Sequence, residues 1–577
     1  MTTVAESIVD ALADHGVRQV WGVVGDALNP VTDAIRRRGK DREDIEWVGV
    51  RHEEAAAFAV SAQAQLTGRI AVCMGTVGPG SVHLLNGLYD AAKSHAPVLA
   101  ICGQVPSEEM GSDFFQEVDN DRLFADVAVF NRTVTSASQM PQLLEQAVNA
   151  AYAAQGVAVL TLPGDLGGLE LAKDTPAPRF APPPAFAGAP EDQVHAAVEV
   201  LSGAKVTLLV GCGAKHARDE VLELAERLGA PMVLSLKAKE GLERDNPYEV
   251  GQSGLIGNPA AAEALDGCDV LLMVGTDFPY RDWYPQGKTV VQLDVRQAHI
   301  GRRISVDHAL VGDSRATLCD LLARLPRQEE RGHLEDAVSS YADWREGQER
   351  LTRPDHDHSL VGKVRSVFDN PDDLIRPEAV AAVLDRLAPD DTVFTSDTGM
   401  STVWLSRFVM MRGTRRLVGS YNLGSMANAM PQALGAQALD RSRPVVAFAG
   451  DGGLMMLLGD LRTAVTYRLP VTVVVFDNSR LGMVKLEQEQ GGLPEFGTQL
   501  DNPDIAAVAT AMGLQARRVT DPQDVEGAVA WALAHDGPTL LDVVTNPDEI
   551  SVPPKPKVGQ AWGFAIAKSK EILTSSR

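Results

Sequence analysis

An α/β protein of three doubly wound parallel-sheet units is what this chain predicts, and three observations carry that reading. Short, β-rich apolar runs alternate with helix-length segments along most of its 577 residues, the pattern of parallel strands joined by crossover helices. Two stretches interrupt the alternation: the Pro/Ala-rich "DTPAPRFAPPPAFAGAP" at 174–190 and a charged segment at 326–373 that includes "RPDHDHSL". The length itself allows three or four domains at roughly 150 residues each. The expected organisation is therefore an N-terminal unit 1–173, a linker 174–190, a central unit 191–325, a linker 326–373, a C-terminal unit 374–550 and a tail 551–577.

The N-terminal unit opens on "MTTVAESIVDALADHG", an amphipathic helix without a basic n-region, so no signal peptide is expected. Residues 47–59, "WVGVRHEEAAAFA", read as a strand, a turn and an Ala-rich helix, with Glu53 directly after His52. Taken alone, a Glu in a first helical turn serves the helix dipole or faces solvent; Glu54 is the expected solvated neighbour. In the central unit "KVTLLVGCGAK", "APMVLSL", "DVLLMVGTDF" and "TVVQLDV" are strands between helices. The Gly-rich turn "VGCGAK" is a common packing device and a weak signal. Asp294 ends a strand, where a carboxylate can accept from a ribose or adenine, or simply cap the following turn.

The C-terminal unit holds the strongest local signal. "RPVVAFAG" and "PVTVVVF" are buried strands flanking the helical "LMMLLGDLRTAVTYRL", so they should be parallel neighbours. Asp451 and Asn478 then fall at the C-terminal ends of their strands, where open α/β sheets bind ligands. Carboxylate and amide oxygens are hard donors suited to Mg²⁺, which recruits phosphate for its remaining ligands. Gly452 and Gly453 let a phosphate approach the backbone at a helix start. A tight turn with Asp451 as N-cap is the plainer alternative, and the return of Asn478 to the same sheet edge is what favours a cation.

Composition narrows the class. A net charge of −24 excludes nucleic acid or an anionic membrane as a general partner. Five cysteines without metal spacing read as buried apolar thiols in a reducing, cytoplasmic setting. No apolar run reaches the ~18–20 residues of a membrane span. His356 and His358 sit in a charged stretch where solvation is the expected role.

Gly-Asp-Gly followed about two dozen residues later by Asn resembles the diphosphate-binding motif of thiamine-diphosphate enzymes, although Asp477 stands where many members carry a first Asn. The His52–Glu53 pair resembles that family's as well. Together with "GPGSVHLLNGLYDA", "FFQE", "SGLIG", "GTDFPY", "GSMANAMPQALGAQA" and "LGMVKLE", the chain to about residue 565 resembles the flavin-dependent bacterial pyruvate oxidases, the quinone-reducing ones above all.

That resemblance implies pyrimidine-binding, FAD-binding and diphosphate-binding units in chain order, with Glu53 hydrogen-bonding the aminopyrimidine of thiamine diphosphate. It implies cofactor contacts at Gly424, Ser425 and Met426, at Asp451, Gly452 and Gly453, and at Asn478, Ser479, Arg480, Leu481, Gly482, Met483 and Val484. The Mg²⁺ ligands would be Asp451, Asn478 and the Arg480 main-chain carbonyl. FAD would meet Ser253, Gly254, Leu255, Ile256, Thr276, Asp277, Phe278, Pro279, Tyr280 and Asp294. Phe115, Gln116, Met483 and Glu487 would line the substrate side, a solvated role being the alternative for Glu487. Met426 would bend the cofactor, ordinary core packing being its alternative.

The implied activity is oxidative decarboxylation of pyruvate to acetate and CO₂ through an enamine on the cofactor, electrons passing to FAD and then to a quinone. A carboligase of the acetolactate-synthase kind with structural FAD, or an oxygen- or phosphate-dependent pyruvate oxidase, is the alternative. The resemblance also implies a homo-oligomer, at least a dimer and more fully a tetramer, because Glu53 and the diphosphate site meet across a subunit interface. The tail "WGFAIAKSKEILTSSR" falls roughly twenty residues short of the membrane-docking extension of such relatives, so Lys568 and Lys570 leave at most peripheral membrane contact.

Overall fold

The computed structural model describes residues 2–353, 370 and 373–549; His356, His358 and the tail 551–577 lie outside them. Eighteen strands form three six-stranded sheets, parallel throughout. The first contains β1 (Gln19–Gly22), β2 (Glu46–Gly49), β3 (Ala71–Gly75), β4 (Val98–Gln104), β5 (Ala128–Thr133) and β6 (Val157–Pro163). The central sheet contains β7 (Val206–Val210), β8 (Met232–Leu234), β9 (Glu249–Gln252), β10 (Val270–Val274), β11 (Thr289–Asp294) and β12 (His308–Val311). The last contains β13 (Val393–Ser396), β14 (Arg416–Gly419), β15 (Val445–Gly450), β16 (Thr472–Asp477), β17 (Gln515–Val519) and β18 (Thr539–Val544).

Strand order carries information that the residue pattern hides. The first and last sheets run β2-β1-β3-β4-β6-β5 and β14-β13-β15-β16-β18-β17, one topology used twice. The central sheet runs β12-β11-β10-β7-β8-β9. Counted within the unit from its other edge this is 3-2-1-4-5-6, the order of doubly wound dinucleotide-binding sheets.

The first and last units share one apolar core. The helix Glu53–Thr67 lies against the helix Ala429–Leu439, and both faces are lined with alanine. Approach is so close that a Cβ on Gly435 would drive into the Ala59 carbonyl, with the Ala59 carbonyl carbon at 2.7 Å. Gln63 Nε2 donates to Gly435 O at 3.0 Å, and the fully buried Asp90 accepts from Ser61 Oγ at 2.7 Å and Gln432 Nε2 at 3.0 Å.

Three expectations change. The helix read over 454–469 is broken into Asp451–Met456, a short 3-10 turn and Leu461–Thr466. The break is pinned by Asp460, whose buried Oδ1 accepts from Thr463 Oγ1 at 2.7 Å and from the Arg51 backbone N–H at 2.8 Å. The supposed second linker contains a 20-residue helix, Gly332–Leu351, because Leu334, Ala337 and Leu351 fall on one buried stripe that its many charges disguise. Finally, Cys73, Cys102 and Cys268 are buried but Cys212 and Cys319 are exposed, Cys212 at the first position of a 3-10 turn and Cys319 within the helix Ser314–Leu322.

Candidate active site

β15 and β16 pair with Gly450 opposite Phe476, so Asp451 and Asn478 leave adjacent strand ends together. They line one cavity with Arg480, Gly424, Met426, Gly452, Gly453, Leu481, Gly482, Met483, Val484 and Glu487. Burial pushes the Asp451 carboxyl up to about 7, Asn502 and the Gly452 N–H pull the other way, and the Asp477 carboxylate adds to the rise. A buried carboxylate beside another is what a divalent cation neutralises, so the donor set fits Mg²⁺. Asn478 Oδ1 accepts from the Arg480 N–H at 3.1 Å, which folds residues 478–480 back toward the sheet edge.

The floor of this cavity is set by a residue that sequence reasoning missed. Asp397 follows β13 and is 2 % exposed; Oδ1 accepts from Ala429 N at 2.9 Å and Oδ2 from Gly450 N at 3.1 Å. Burial pushes its carboxyl up to about 6. Gly453 packs directly on it, and only hydrogen fits there: a Cβ would lie 2.9 Å from Asp397 Cγ. Asp397 and Asp451 thus flank the switch point between β13 and β15, where the strand order reverses and such sheets take ligands. That position in the topology was the one signal that could have found Asp397.

The N-terminal half of the predicted site forms a separate cluster. Glu53 is buried at the first turn of its helix, His52 caps that helix by accepting the Glu54 N–H at 3.2 Å, and His83 Nδ1 lies 3.0 Å from Glu53 Oε2. Gln116 holds a positive φ of 67° and backs onto Gly78, at the start of the short helix that carries His83. Phe115 beside it is 80 % exposed. Neither Glu53, Phe115 nor Gln116 lines the Asp451 cavity of the same chain. Glu54 is half-buried rather than solvated, because Asn86 Nδ2 donates to it at 2.7 Å and to Ser425 Oγ at 3.0 Å. Ser425 and Ser479 do not line the Asp451 cavity either; Ser479 donates its N–H and Oγ to Asp477, each at 3.2 Å.

A second cavity opens at the switch point of the central sheet, between the ends of β7 and β10. Ser253, Leu255, Ile256, Asp277, Phe278, Pro279 and Tyr280 line it with Cys212 and Lys237. The C-terminal unit closes it with Thr398, Gly399, Thr402, Tyr421, Asn422 and Met483. Ser253 Oγ is buried with no hydrogen-bond partner among the described residues, so the wall offers a polar group to a ligand. Gly254 holds φ at +89°, turning the chain under the Phe278 and Tyr280 rings. The mostly apolar wall, the free hydroxyl and the strand order fit a flavin dinucleotide. Gly254, Thr276 and Asp294 do not line this cavity. Thr276 Oγ1 accepts from Phe278 N at 3.3 Å, and Asp294 caps the next turn by accepting from Arg296 N at 2.8 Å. Met483, Thr398 and Gly399 line both cavities.

Family models match all three units: the thiamine pyrophosphate enzyme N-terminal TPP-binding domain over residues 2–123, the central domain over 194–321, and the C-terminal TPP-binding domain over 397–543. Thiamine pyrophosphate and thiamine diphosphate are the same compound. The chain is 38% identical to the "Putative thiamine pyrophosphate-containing protein YdaP" of Bacillus subtilis, over 100% of this chain and 97% of that protein. It is 31% identical to a pyruvate oxidase of Lactiplantibacillus plantarum, over 94% of this chain and 88% of that one. It is 32% identical to the acetolactate synthase isozyme 2 large subunit of Escherichia coli, over 93% and 95%. Sheet order, cation-suited donors at the β15–β16 edge and matches along all three units agree: the chain belongs to the thiamine pyrophosphate enzyme family.

Proposed function

We propose that this enzyme oxidatively decarboxylates pyruvate to acetate and CO₂ and passes two electrons through FAD to a quinone. The observation that carries the reading is the wall common to the two cavities, since Met483, Thr398 and Gly399 face both. A redox group in the central cavity would then be a near neighbour of the decarboxylation site. When bound, thiamine diphosphate supplies a nucleophilic carbon and an electron sink, and the flavin supplies a two-electron acceptor.

The chain's own residues have separable tasks. Asp451, Asn478 and the Arg480 carbonyl would hold Mg²⁺, and Gly452 and Gly453, in the first turn of a helix and without side chains, would let the diphosphate approach the backbone. Asp397 keeps Gly450 and Ala429 in place beneath them. Glu53 holds and returns a proton at its carboxylate, and His83 Nδ1 orients that carboxylate. Glu487 and Met483 border the substrate side. Glu53, Phe115 and Gln116 would be delivered by a second copy of the chain, making a dimer the smallest active unit. Exposed apolar side chains beside both halves, Val82, Phe114 and Phe115 on one and Met456, Leu493 and Phe496 on the other, support that pairing.

An anaerobic absorption spectrum of the protein reconstituted with FAD, thiamine diphosphate and Mg²⁺, before and after pyruvate, tests the proposal. Bleaching of the flavin band with release of acetate is the expected result. Pyruvate consumed with the flavin still oxidised and 2-acetolactate formed would replace it with the carboligase reading.

A further inference from the structure

Around the cation site lies a second layer of charge that the motif does not account for, and its role rests on the proposed reading of Asp451 and Asn478 as metal ligands. Asp477, 1 % exposed, stands between them in the fold. One amide nitrogen, Asn502 Nδ2, donates both to Asp451 Oδ2 at 2.7 Å and to Asp477 Oδ1 at 2.8 Å, tying the two carboxylates at a fixed spacing. Arg518 Nη2 lies 3.5 Å from Asp477 Oδ2, and Arg518 Nη1 pairs with the fully buried Asp542. Two buried carboxylates, Asp477 and Asp542, therefore share one guanidinium, and a third, Asp451, is tied to Asp477 through Asn502, so this corner holds three carboxylates to one cationic side chain. A dication restores neutrality.

The same layer fixes the backbone. Residues 498–500 run antiparallel to 479–481: Leu481 N donates to Thr498 O at 2.8 Å and Leu500 N to Ser479 O at 2.9 Å, with Arg480 bridged to Gln499. Arg480 Nη1 reaches Glu495 Oε1 at 2.9 Å. The segment bearing the Arg480 carbonyl is thus clamped from outside, and the clamp ends at Asn502.

We propose that Asp477, Asn502 and Arg518 are positioning residues that set the divalent-cation affinity of this chain. Asp477 supplies a charge beyond the ligands, Asn502 aligns Asp451, and Arg518 holds Asp477 and Asp542 on the sheet edge. The cation is thereby bound more tightly than the three ligands alone would bind it.

Calorimetric titration of MgCl₂ into the full-length protein with saturating thiamine diphosphate tests this. Asp477→Asn, isosteric and still able to accept from Asn502, should weaken Mg²⁺ binding about tenfold, as expected for removing one nearby charge from a buried cation site. Its melting temperature without metal should stay or rise, because a buried charge has gone. Asn502→Ala should also weaken Mg²⁺, and the double variant should fall short of the product of the two effects, since Asn502 bonds Asp477 as well as Asp451 and the two residues are therefore coupled. A Mg²⁺ affinity for Asp477→Asn within about twofold of the parent, or a loss of metal-free stability accompanying any weakening, would overturn the proposal. Failure of the parent protein to bind Mg²⁺ with thiamine diphosphate would overturn the cation reading itself, and this inference with it.

Discussion

Gly453→Ala is a one-methyl perturbation whose cost can be worked from the contacts. The new Cβ would sit inside the van der Waals envelope of Asp397 Oδ2, 2.9 Å from its Cγ and 3.1 Å from Ala427 N. Asp397 has little room to retreat, being 2 % exposed and held by Ala429 N and Gly450 N. Displacing its carboxylate sacrifices the Gly450 bond, a hydrogen bond to a charged group and so about 1.5–3 kcal/mol. Overpacking adds about 1–3 kcal/mol, and the better helix propensity of alanine returns up to about 1 kcal/mol. The net expectation is a loss of about 1.5–6 kcal/mol, measured by urea unfolding, with weaker binding of thiamine diphosphate because the Gly450–Gly453 turn must shift. Gly527→Ala is the control: it lies exposed in the helix Val525–Leu533 with nothing within 4 Å of the new Cβ, so the same substitution should stabilise by about 0.5–1 kcal/mol. Equal behaviour of the two variants, or Gly453→Ala with parental stability and cofactor affinity, would refute the close-packing argument.

Glu53→Gln should cut turnover by about 10²–10⁴, the range for a lost acid–base group, while thermal stability changes little; steady-state kinetics on a variant of parental melting temperature checks it. Gly435→Val should destabilise by about 3 kcal/mol or more, since even its Cβ invades the Ala59 carbonyl, and urea denaturation reads the effect. Burial, reinforced by the Glu243 carboxylate, pushes the Glu249 carboxyl up to about 8. A raised folded-state value stabilises the fold fully below the unfolded range near 4.5 and loses that contribution as pH rises through 8. Glu249→Gln should therefore gain stability over the parent progressively from pH 5 to 9, by a few kcal/mol at the alkaline end, with no gain near pH 4; denaturation midpoints across that range decide it.

The cation edge was legible because its signal is local: a buried strand, Gly-Asp-Gly, and a second strand ending in Asn478 place both donors by strand polarity alone. Asp397 and Asn502 were not legible, since each reaches the edge from a distant part of the chain through tertiary folding, and neither carries a distinctive neighbour. Asp294 was legible as a strand end but not as a role. A carboxylate there can meet a ligand or cap the next turn, and the Arg296 N–H at 2.8 Å engages one of its oxygens, Oδ1, in the capping bond. The helix Gly332–Leu351 was hidden by charge, because three buried positions in twenty residues leave a polar composition that reads as a linker.

Why Glu53 should lie apart from Asp451 is explained by the repeated topology. The first and last sheets have the same strand order, and Glu53 and Asp451 each begin the helix that follows a strand flanking the first strand of its sheet, β2 in one case and β15 in the other. Within one chain the two units pack through the alanine-lined contact of the Glu53–Thr67 helix with the Ala429–Leu439 helix, where small residues permit the close approach. That contact does not bring Glu53 to the Asp451 cavity: both carboxylates are buried, and Glu53 does not line that cavity in the same chain. A second copy, offering the same two surfaces, can complete both sites at once, because whatever pairs the N-terminal half of one chain with the C-terminal half of another also pairs the reverse. A single substitution on either half, such as Glu53→Gln in one chain and Asp451→Asn in the other, should therefore give mixed dimers in which one of the two sites regains both native residues, and recovered activity on mixing two inactive variants is the result that the proposed pairing requires.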